Sequence, residues 1–138
     1  AYHIKNEKGQ AEIFSEFKEG SKKIVTKYKR LAENGEYSFA KVNLITGKTH
    51  QIRACFKFMG HCVIGDRKYG DFNINKLFKK NYSLDNQFLH SYKVVFKEKY
   101  GFFSYLEGKE FIAPLDSKKE KIIFKLFGDG EEDNFEKY

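Results

Sequence analysis

The sequence predicts an α+β fold: a mostly antiparallel, mixed sheet with a few short flanking helices. Two adjacent runs, residues 23–31 and 37–45, alternate between polar and apolar residues, as half-buried strands do. Between them lies Asn34-Gly35, a dipeptide that favours a hairpin turn. Helical periodicity appears only after residue 50 and again near residue 120, which is why the predicted helices are few and short.

The first predicted helix follows the hairpin directly. Its apolar residues recur at i, i+3, i+4 and i+7, so one stripe is expected to be buried: Ile52, Cys55, Phe56 and Met59. Beyond a short apolar run at residues 62–64, Gly65-Asp66 predicts a turn. Residues 71–86 are polar and are interpreted as a surface segment that exposes Lys76, Lys79 and Lys80.

Three further elements are predicted towards the C-terminus. Residues 89–96 and 102–106 read as a strand pair that turns at Tyr100-Gly101, and residues 110–113 as another short strand. Ser117 and Glu120 form a capping-box pattern that starts a helix, and Gly128 closes it. The apolar face of this helix comprises Ile122, Ile123, Leu126 and Phe127.

Charge is unevenly distributed along the 138 residues. The chain has 26 basic and 19 acidic residues, a net charge of +7. The last ten residues hold five of the acidic residues and one of the basic ones, so residues 1–128 carry 25 and 14, or +11. A body this basic favours a polyanionic partner such as nucleic acid. Residues 129–138 are predicted to be an acidic, frayed tail.

Several classes of protein fit the sequence poorly. Two cysteines, Cys55 and Cys62, do not form a disulfide framework. No apolar run approaches the roughly 20 residues that span a membrane, and no signal-peptide pattern is present, so a cytoplasmic protein is expected. A metal site built from both cysteines with His50 and His61 is disfavoured because their spacing matches no zinc pattern.

The segment from residue 46 to residue 53 is the most informative motif. It joins a strand to a helix, and Gly47 is expected to make the turn between them. The start of a helix edged by Lys48, His50 and Arg53 suits a phosphate or another anion. By pattern alone, a solvated basic helix end is the more common explanation of the same residues.

A family resemblance narrows this choice. The motif resembles the T-G-R-T-H-Q-I-R block of the RluA-like RNA pseudouridine synthases, and the later G-H and G-D-x-x-Y-G segments of that family also match. Two further matches follow in order, at residues 88–91 (L-H-A) and 111–115 (F-x-A-P-L). In this sequence the block reads Thr46-Gly47-Lys48-Thr49-His50-Gln51-Ile52-Arg53, then Gly60-His61, then Gly65-Asp66-Arg67-Lys68-Tyr69-Gly70.

The resemblance implies a chemistry and a set of site residues. These enzymes isomerise uridine in RNA without a cofactor or metal, after the target nucleotide is flipped out of its helix. Arg53 matches the arginine that pairs with the catalytic aspartate, which suits a guanidinium because it always carries its charge. The other assignments are RNA binding for Lys48, His50, Gln51 and Lys57, and turn formation or packing for Gly47, Asp66 and Tyr69.

The catalytic aspartate itself is not matched. In the family it lies in an Arg-Leu-Asp segment, and this tripeptide does not occur in the 138 residues. The only methionine is Met59, and we therefore expect that translation begins upstream of Ala1. We therefore expect residues 1–128 to be the C-terminal portion of a catalytic domain that is truncated on its N-terminal side and inactive alone. The RNA is expected to be ribosomal or transfer RNA. The alternative is a non-catalytic, basic RNA-binding module.

Overall fold

The structure is a computed structural model that describes residues 1–128. The predicted acidic tail, residues 129–138, lies outside the described residues. The chain divides into two compact units, residues 1–88 and residues from Leu89 onward. The described part contains three α-helices and three small sheets in which every strand pairing is antiparallel, which confirms the α+β prediction.

The first unit begins with a three-stranded sheet. Its strands are β1 (Tyr2–Lys5), β2 (Ala11–Phe14) and β3 (Lys22–Lys23), in the order β2-β1-β3. Strand β2 alternates, with Ala11 and Ile13 buried and Glu12 exposed, as expected for a strand with one solvent face. Its buried face joins the core of the unit, a cluster formed by Ala11, Ile13, Ile24, Ala54, Cys55 and Tyr69.

The predicted hairpin is confirmed. Strands β4 (Thr26–Glu33) and β5 (Ser38–Leu44) pair in register from Thr26 opposite Leu44, with a bulge between Arg30 and Ala32. In the turn, Asn34 Oδ1 accepts hydrogen bonds from the backbone N–H groups of Glu36 and Tyr37, at 3.0 and 2.8 Å. Gly35 adopts a φ of 85°, which a residue without Cβ tolerates.

Helix α1 (Gln51–Phe58) forms where the sequence predicted it, but its buried face is different. The buried residues are Gln51, Ala54 and Cys55, whereas Met59 follows the last helical residue and is 40% exposed. The apolar stripe prediction was therefore wrong at one end. The helix instead turns Gln51 inward, because hydrogen bonds inside the chain satisfy the side-chain amide of this residue.

Helix α2 (Phe72–Tyr82) was not predicted, since residues 71–86 were interpreted only as a polar surface segment. Asp71 caps the helix by accepting a hydrogen bond from the backbone N–H of Ile74 at 2.9 Å. Phe78 is only 1% exposed and makes ring contacts with Tyr37 and Tyr82, both at 5.1 Å. The lysines of the helix are exposed, as predicted: Lys76, Lys79 and Lys80.

The second unit corrects two predictions. Strand β6 (Lys93–Val95) pairs with β7 (Glu110–Ile112), as Lys93 opposite Ile112, and not with residues 102–106. The latter segment contains a short 3₁₀ helix, Ser104–Leu106. The predicted strand at 110–113 is thus confirmed, but the predicted partner of residues 89–96 is wrong.

Helix α3 (Ser117–Phe127) completes the second unit. Its N-cap is Asp116 and not Ser117, because the Asp116 carboxylate accepts a hydrogen bond from the backbone N–H of Lys119 at 2.9 Å. Gly128 ends the helix with a φ of 74°, as predicted. None of the helices within residues 1–128 is long and apolar enough to cross a membrane.

The turn at Gly65 is the tightest backbone approach among the glycines, and it generates a prediction. A Cβ at Gly65 would lie 2.1 Å from the carbonyl oxygen of Asn86, whereas a Cβ at Gly35 would meet nothing within 4 Å. Both residues have a positive φ, 80° and 85°. We expect Gly35→Ala to cost about 1 kcal/mol of unfolding free energy, through backbone strain alone. Gly65→Ala should cost roughly 2–5 kcal/mol, because overpacking adds to the strain.

Urea unfolding followed by circular dichroism measures both losses. Equal losses in the two variants would show that the contact between Gly65 and Asn86 does not constrain the turn.

Candidate functional site

Gln51 organises the turn that precedes α1. Its Oε1 accepts hydrogen bonds from the Thr46 hydroxyl and the backbone N–H of Lys48, both at 3.0 Å. Its Nε2 donates to the Thr26 hydroxyl at 2.9 Å and to the carbonyl oxygen of Val25 at 3.3 Å. The residue is 2% exposed. Although the resemblance placed Gln51 among the RNA-binding residues, this geometry turns its amide inward, where it clamps the turn against the start of β4.

Two other contacts fix the same turn. The carbonyl oxygen of Thr49 lies 2.9 Å from Nε2 of the buried His3, and the Thr46 hydroxyl accepts a hydrogen bond from the backbone N–H of Val25 at 2.9 Å. The left-handed residue of the turn is His50, with a φ of 53°, and not Gly47. A left-handed conformation is uncommon for a residue with a Cβ, and such strain persists only where neighbouring contacts enforce it.

Arg53 and Asp66 form the central ion pair. Arg53 Nε donates to Asp66 Oδ2 at 2.7 Å, and Arg53 Nη2 donates to Asp66 Oδ1 at 2.9 Å, a bidentate arrangement. Asp66 Oδ1 also accepts the backbone N–H groups of Lys68 and Tyr69, at 2.9 and 3.0 Å. The side chain of Asp66 is 0% exposed and that of Arg53 is 16% exposed. A buried carboxylate is thus fully paired, while the guanidinium retains an edge towards solvent.

The pKa values of both groups follow from this pairing. Burial alone would raise the pKa of Asp66, but the hydrogen bonds from Arg53 and from the two backbone N–H groups outweigh it and lower that pKa. The hydrogen bond to Asp66 raises the pKa of Arg53. The pair is therefore ionised at neutral pH. Its stabilising contribution is present above the ordinary aspartate pKa of about 3.9 and is lost as the pH falls through the lowered value.

Tyr69 connects the ion pair to the turn and to the sheet. It is buried, and its hydroxyl accepts a hydrogen bond from the backbone N–H of Ala11 at 2.8 Å. The same oxygen lies 3.0 Å from His50 Nδ1, and the guanidinium carbon of Arg53 lies 5.1 Å from the centre of the tyrosine ring. Tyr69 therefore packs in the core and holds both His50 and Arg53 in place.

The ring of His50 has an altered proton affinity. Burial lowers its pKa, and the positive charges of Arg53 and Lys68 lower it further, against a weaker opposing effect of Asp66. The neutral ring is therefore favoured at pH 7. A hydroxyl proton donated by Tyr69 to Nδ1 is compatible with that state, since the tyrosine oxygen can accept from Ala11 and donate to His50 at once.

An open groove of about 700 Å³ lies beside Arg53. Arg53, Arg67 and Lys68 supply its cationic lining, Asp85 its one carboxylate, and three amide side chains the rest. Two of the residues expected to bind RNA, Lys48 and Lys57, are exposed at opposite ends of the turn and helix α1. Within residues 1–128, no group of three or more histidine, cysteine, aspartate or glutamate side chains is arranged to hold a metal ion.

Sequence reasoning did not identify the partnership between Arg53 and Asp66. It treated Asp66 as a turn residue and reserved Arg53 for a carboxylate outside the chain. The sequence offered only the Gly65-Asp66 turn within the matching motif. The structure buries this turn, and a buried carboxylate needs a cation or hydrogen-bond donors as partners. Arg53, on the adjacent helix, was the nearest motif residue able to supply one.

A double-mutant cycle tests the energetic importance of this pair. We expect Asp66→Asn to cost about 3 kcal/mol of unfolding free energy, because it leaves the Arg53 guanidinium facing an amide that cannot accept both bonds. Arg53→Met should also destabilise the chain, since it leaves a buried carboxylate without its cation. The double variant should lose less than the sum, by about 1–3 kcal/mol. Chemical unfolding measures all three; simple additivity would show that the pair contributes no coupling.

The proton affinity of His50 gives a second prediction. In an NMR titration of its Cε1–H signal, the midpoint should lie below the value of about 6.5 found in an unfolded chain. The unfolded chain then binds the proton first, so the folding stability should fall as the pH drops below about 6.5 and level off below the lowered pKa. The urea-unfolded chain is the reference, and a midpoint at or above its value would contradict the burial of the ring.

The sequence of this chain is similar to those of known RNA pseudouridine synthases. The family model described as RNA pseudouridylate synthase matches residues 1–58. The ribosomal large subunit pseudouridine synthase C of Vibrio parahaemolyticus is 33% identical over 101 residues, covering 73% of this chain and 30% of that protein. The ribosomal large subunit pseudouridine synthase D of Borreliella burgdorferi is 34% identical over 93 residues, covering 66% of this chain and 26% of that protein.

A third relative extends the match across most of the chain. An uncharacterized RNA pseudouridine synthase of Chlorobaculum parvum is 31% identical over 131 residues, or 88% of this chain and 38% of the relative. The chain thus spans between about a quarter and two-fifths of the length of these relatives. The match to the family model and the identities to several synthases agree with the motif at residues 46–53, and the chain belongs to the RluA-like family of RNA pseudouridine synthases.

Proposed function

We propose that this chain is part of an enzyme that isomerises uridine to pseudouridine in RNA, most simply ribosomal RNA. Two relatives are named as ribosomal large subunit pseudouridine synthases, and the basic body of residues 1–128 suits a polyanionic substrate. In this proposal the chain contributes the cationic side of the active site, and the protein acts in the cytoplasm without a cofactor.

The observation that carries the proposal is the fixed guanidinium of Arg53 at the edge of an open groove. Asp66 holds Nε and Nη2, and Nη1 has no hydrogen-bond acceptor within residues 1–128. A catalytic aspartate that approached this edge would meet a guanidinium N–H already oriented to donate a hydrogen bond to the ionised carboxylate. That carboxylate would attack the sugar or assist glycosidic cleavage, after which the base rotates and rejoins through C5.

The remaining site residues take two roles in this proposal. Lys48, Lys57 and the outer edge of His50 are assigned to the RNA strand, because they lie on the surface around the turn and helix α1. Gln51 and Tyr69 keep that surface in shape from inside the chain. A neutral His50 can donate a hydrogen bond from Nε2 to a phosphate or sugar oxygen without adding charge.

A non-catalytic RNA-binding module is the second candidate. The net charge of residues 1–128, +11, favours it. Both candidates require RNA binding, so only turnover separates them.

Turnover tests the proposal directly. The 138-residue chain alone should form no pseudouridine in ribosomal RNA, because no residue in it matches the nucleophilic aspartate. The full product of the gene that encodes it should form pseudouridine, and Arg53→Met in that product should lower kcat at least about 100-fold, as expected when the charge that orients a catalytic carboxylate is removed. Carbodiimide adducts mapped by primer extension detect the product.

Two other results would contradict the proposal. Pseudouridine formed by the 138 residues alone would place the nucleophile within them. RNA binding without turnover by the full gene product would favour the binding module.

A further inference from the structure

We propose that the groove beside Arg53 is where phosphate groups of the RNA strand bind, with Arg67 and Lys68 as the contacting cations. This inference rests on the proposed function and names the part of the surface that holds the substrate backbone. Arg67 and Lys68 occupy the two variable positions of the Gly65-Asp66-x-x-Tyr69-Gly70 segment, to which the motif assigns no role.

The three cationic side chains of the groove do not attract a phosphate equally. Asp66 already neutralises Arg53 through two short hydrogen bonds, so the pair has little net charge to offer an incoming phosphate. Arg67 and Lys68 are exposed and have no carboxylate partner within residues 1–128. The net attraction of the groove for a polyanion therefore comes from these two side chains.

The one carboxylate in the lining does not cancel that attraction. Asp85 Oδ1 lies 3.4 Å from Nζ of Lys79, so this lysine offsets part of the negative charge of Asp85. Arg67 does not pair with this carboxylate; its Nε donates instead to the backbone carbonyl oxygen of Asp85, at 2.9 Å. This bond anchors the side chain and leaves its two terminal nitrogens available for the paired oxygens of a phosphate.

Lys68 is anchored in a similar way at the other end of the segment. Its backbone N–H donates to the Asp66 carboxylate at 2.9 Å, which fixes the backbone on which the side chain stands. Its Nζ lies 3.4 Å from the carbonyl oxygen of Gly9, a long contact that a phosphate oxygen can replace. The same buried carboxylate thus orients Arg53 and positions Lys68.

The size and polarity of the groove match a nucleic-acid strand. A volume of about 700 Å³ lies within the range of about 300–1,000 Å³ typical of small-ligand sites, enough for one or two nucleotides. The amide side chains of Gln10, Asn86 and Gln87 add donors and acceptors for sugar and phosphate oxygens. An acidic peptide would lack the ribose hydroxyls that these amides can bind, so we assign the groove to RNA.

Salt-dependent binding of the intact 138-residue chain tests this assignment. A fluorescent, uridine-rich RNA oligonucleotide is titrated at several KCl concentrations by fluorescence anisotropy. The Arg67→Ala/Lys68→Ala variant is compared with Lys76→Ala/Lys80→Ala, which removes the same charge from exposed positions of α2 outside the groove lining. Removing one cation that binds a phosphate should make the slope of log K, the association constant, against log salt concentration less steep by about 0.7. The groove variant, which loses two such cations, should therefore change by about 1.4, and the control should hardly change.

The other outcomes separate this inference from the proposed function. Equal slopes in the two variants would overturn the groove assignment and leave RNA binding intact. No RNA binding by the unmodified chain at low salt would overturn the groove assignment, and turnover by the full gene product would still decide the proposed function. If an oligo-aspartate of equal charge bound the unmodified chain as tightly as RNA, and if the groove variant weakened both to the same extent, the groove would bind polyanions in general, which would overturn its assignment to RNA.

Discussion

The rest of the first unit depends on the hydrogen bonds that the buried carboxylate of Asp66 accepts. It accepts two hydrogen bonds from Arg53 and two from the backbone of its own turn, so one side chain joins helix α1 to residues 65–70. Burying a charge without such partners would cost several kcal/mol. The close approach of Gly65 to Asn86 and the packing of Tyr69 both follow from the position of this turn.

This arrangement gives Arg53 a different meaning from the one that the motif suggested. The sequence presented it as half of an ion pair whose other half was outside the chain. In the structure its charge is already compensated by an internal carboxylate, while one edge of the guanidinium remains accessible. Within the proposed function, its task is then to present a fixed hydrogen-bond donor more than a bare positive charge. Within the same proposal, the surface attraction for RNA comes from exposed cations that have no carboxylate partner within residues 1–128, such as Lys48, Arg67 and Lys68.

Local patterns predicted local structure well. The hairpin around Asn34-Gly35, helix α1 and helix α3 lie where periodicity and turn chemistry placed them. Helix α2 was missed because its lysines and asparagines hide an apolar pattern at Ile74, Leu77 and Phe78, and only Phe78 is buried. The predicted strand partner of β6 was wrong, because the alternation of polar and apolar residues identifies a strand but does not indicate which strand it pairs with. The inward orientation of Gln51 depends on contacts with a strand 25 residues away, which no spacing rule within the motif reveals.

The short sequence separation of Arg53 and Asp66 has a consequence for assembly. They lie 13 positions apart, so closing this loop costs little chain entropy compared with contacts between distant segments. The ion pair of Arg53 and Asp66 can therefore form without waiting for residues far away in the sequence. Within the proposed function, a substrate or a carboxylate that arrives later would meet an ordered guanidinium, because folding has already met the entropy cost of ordering it.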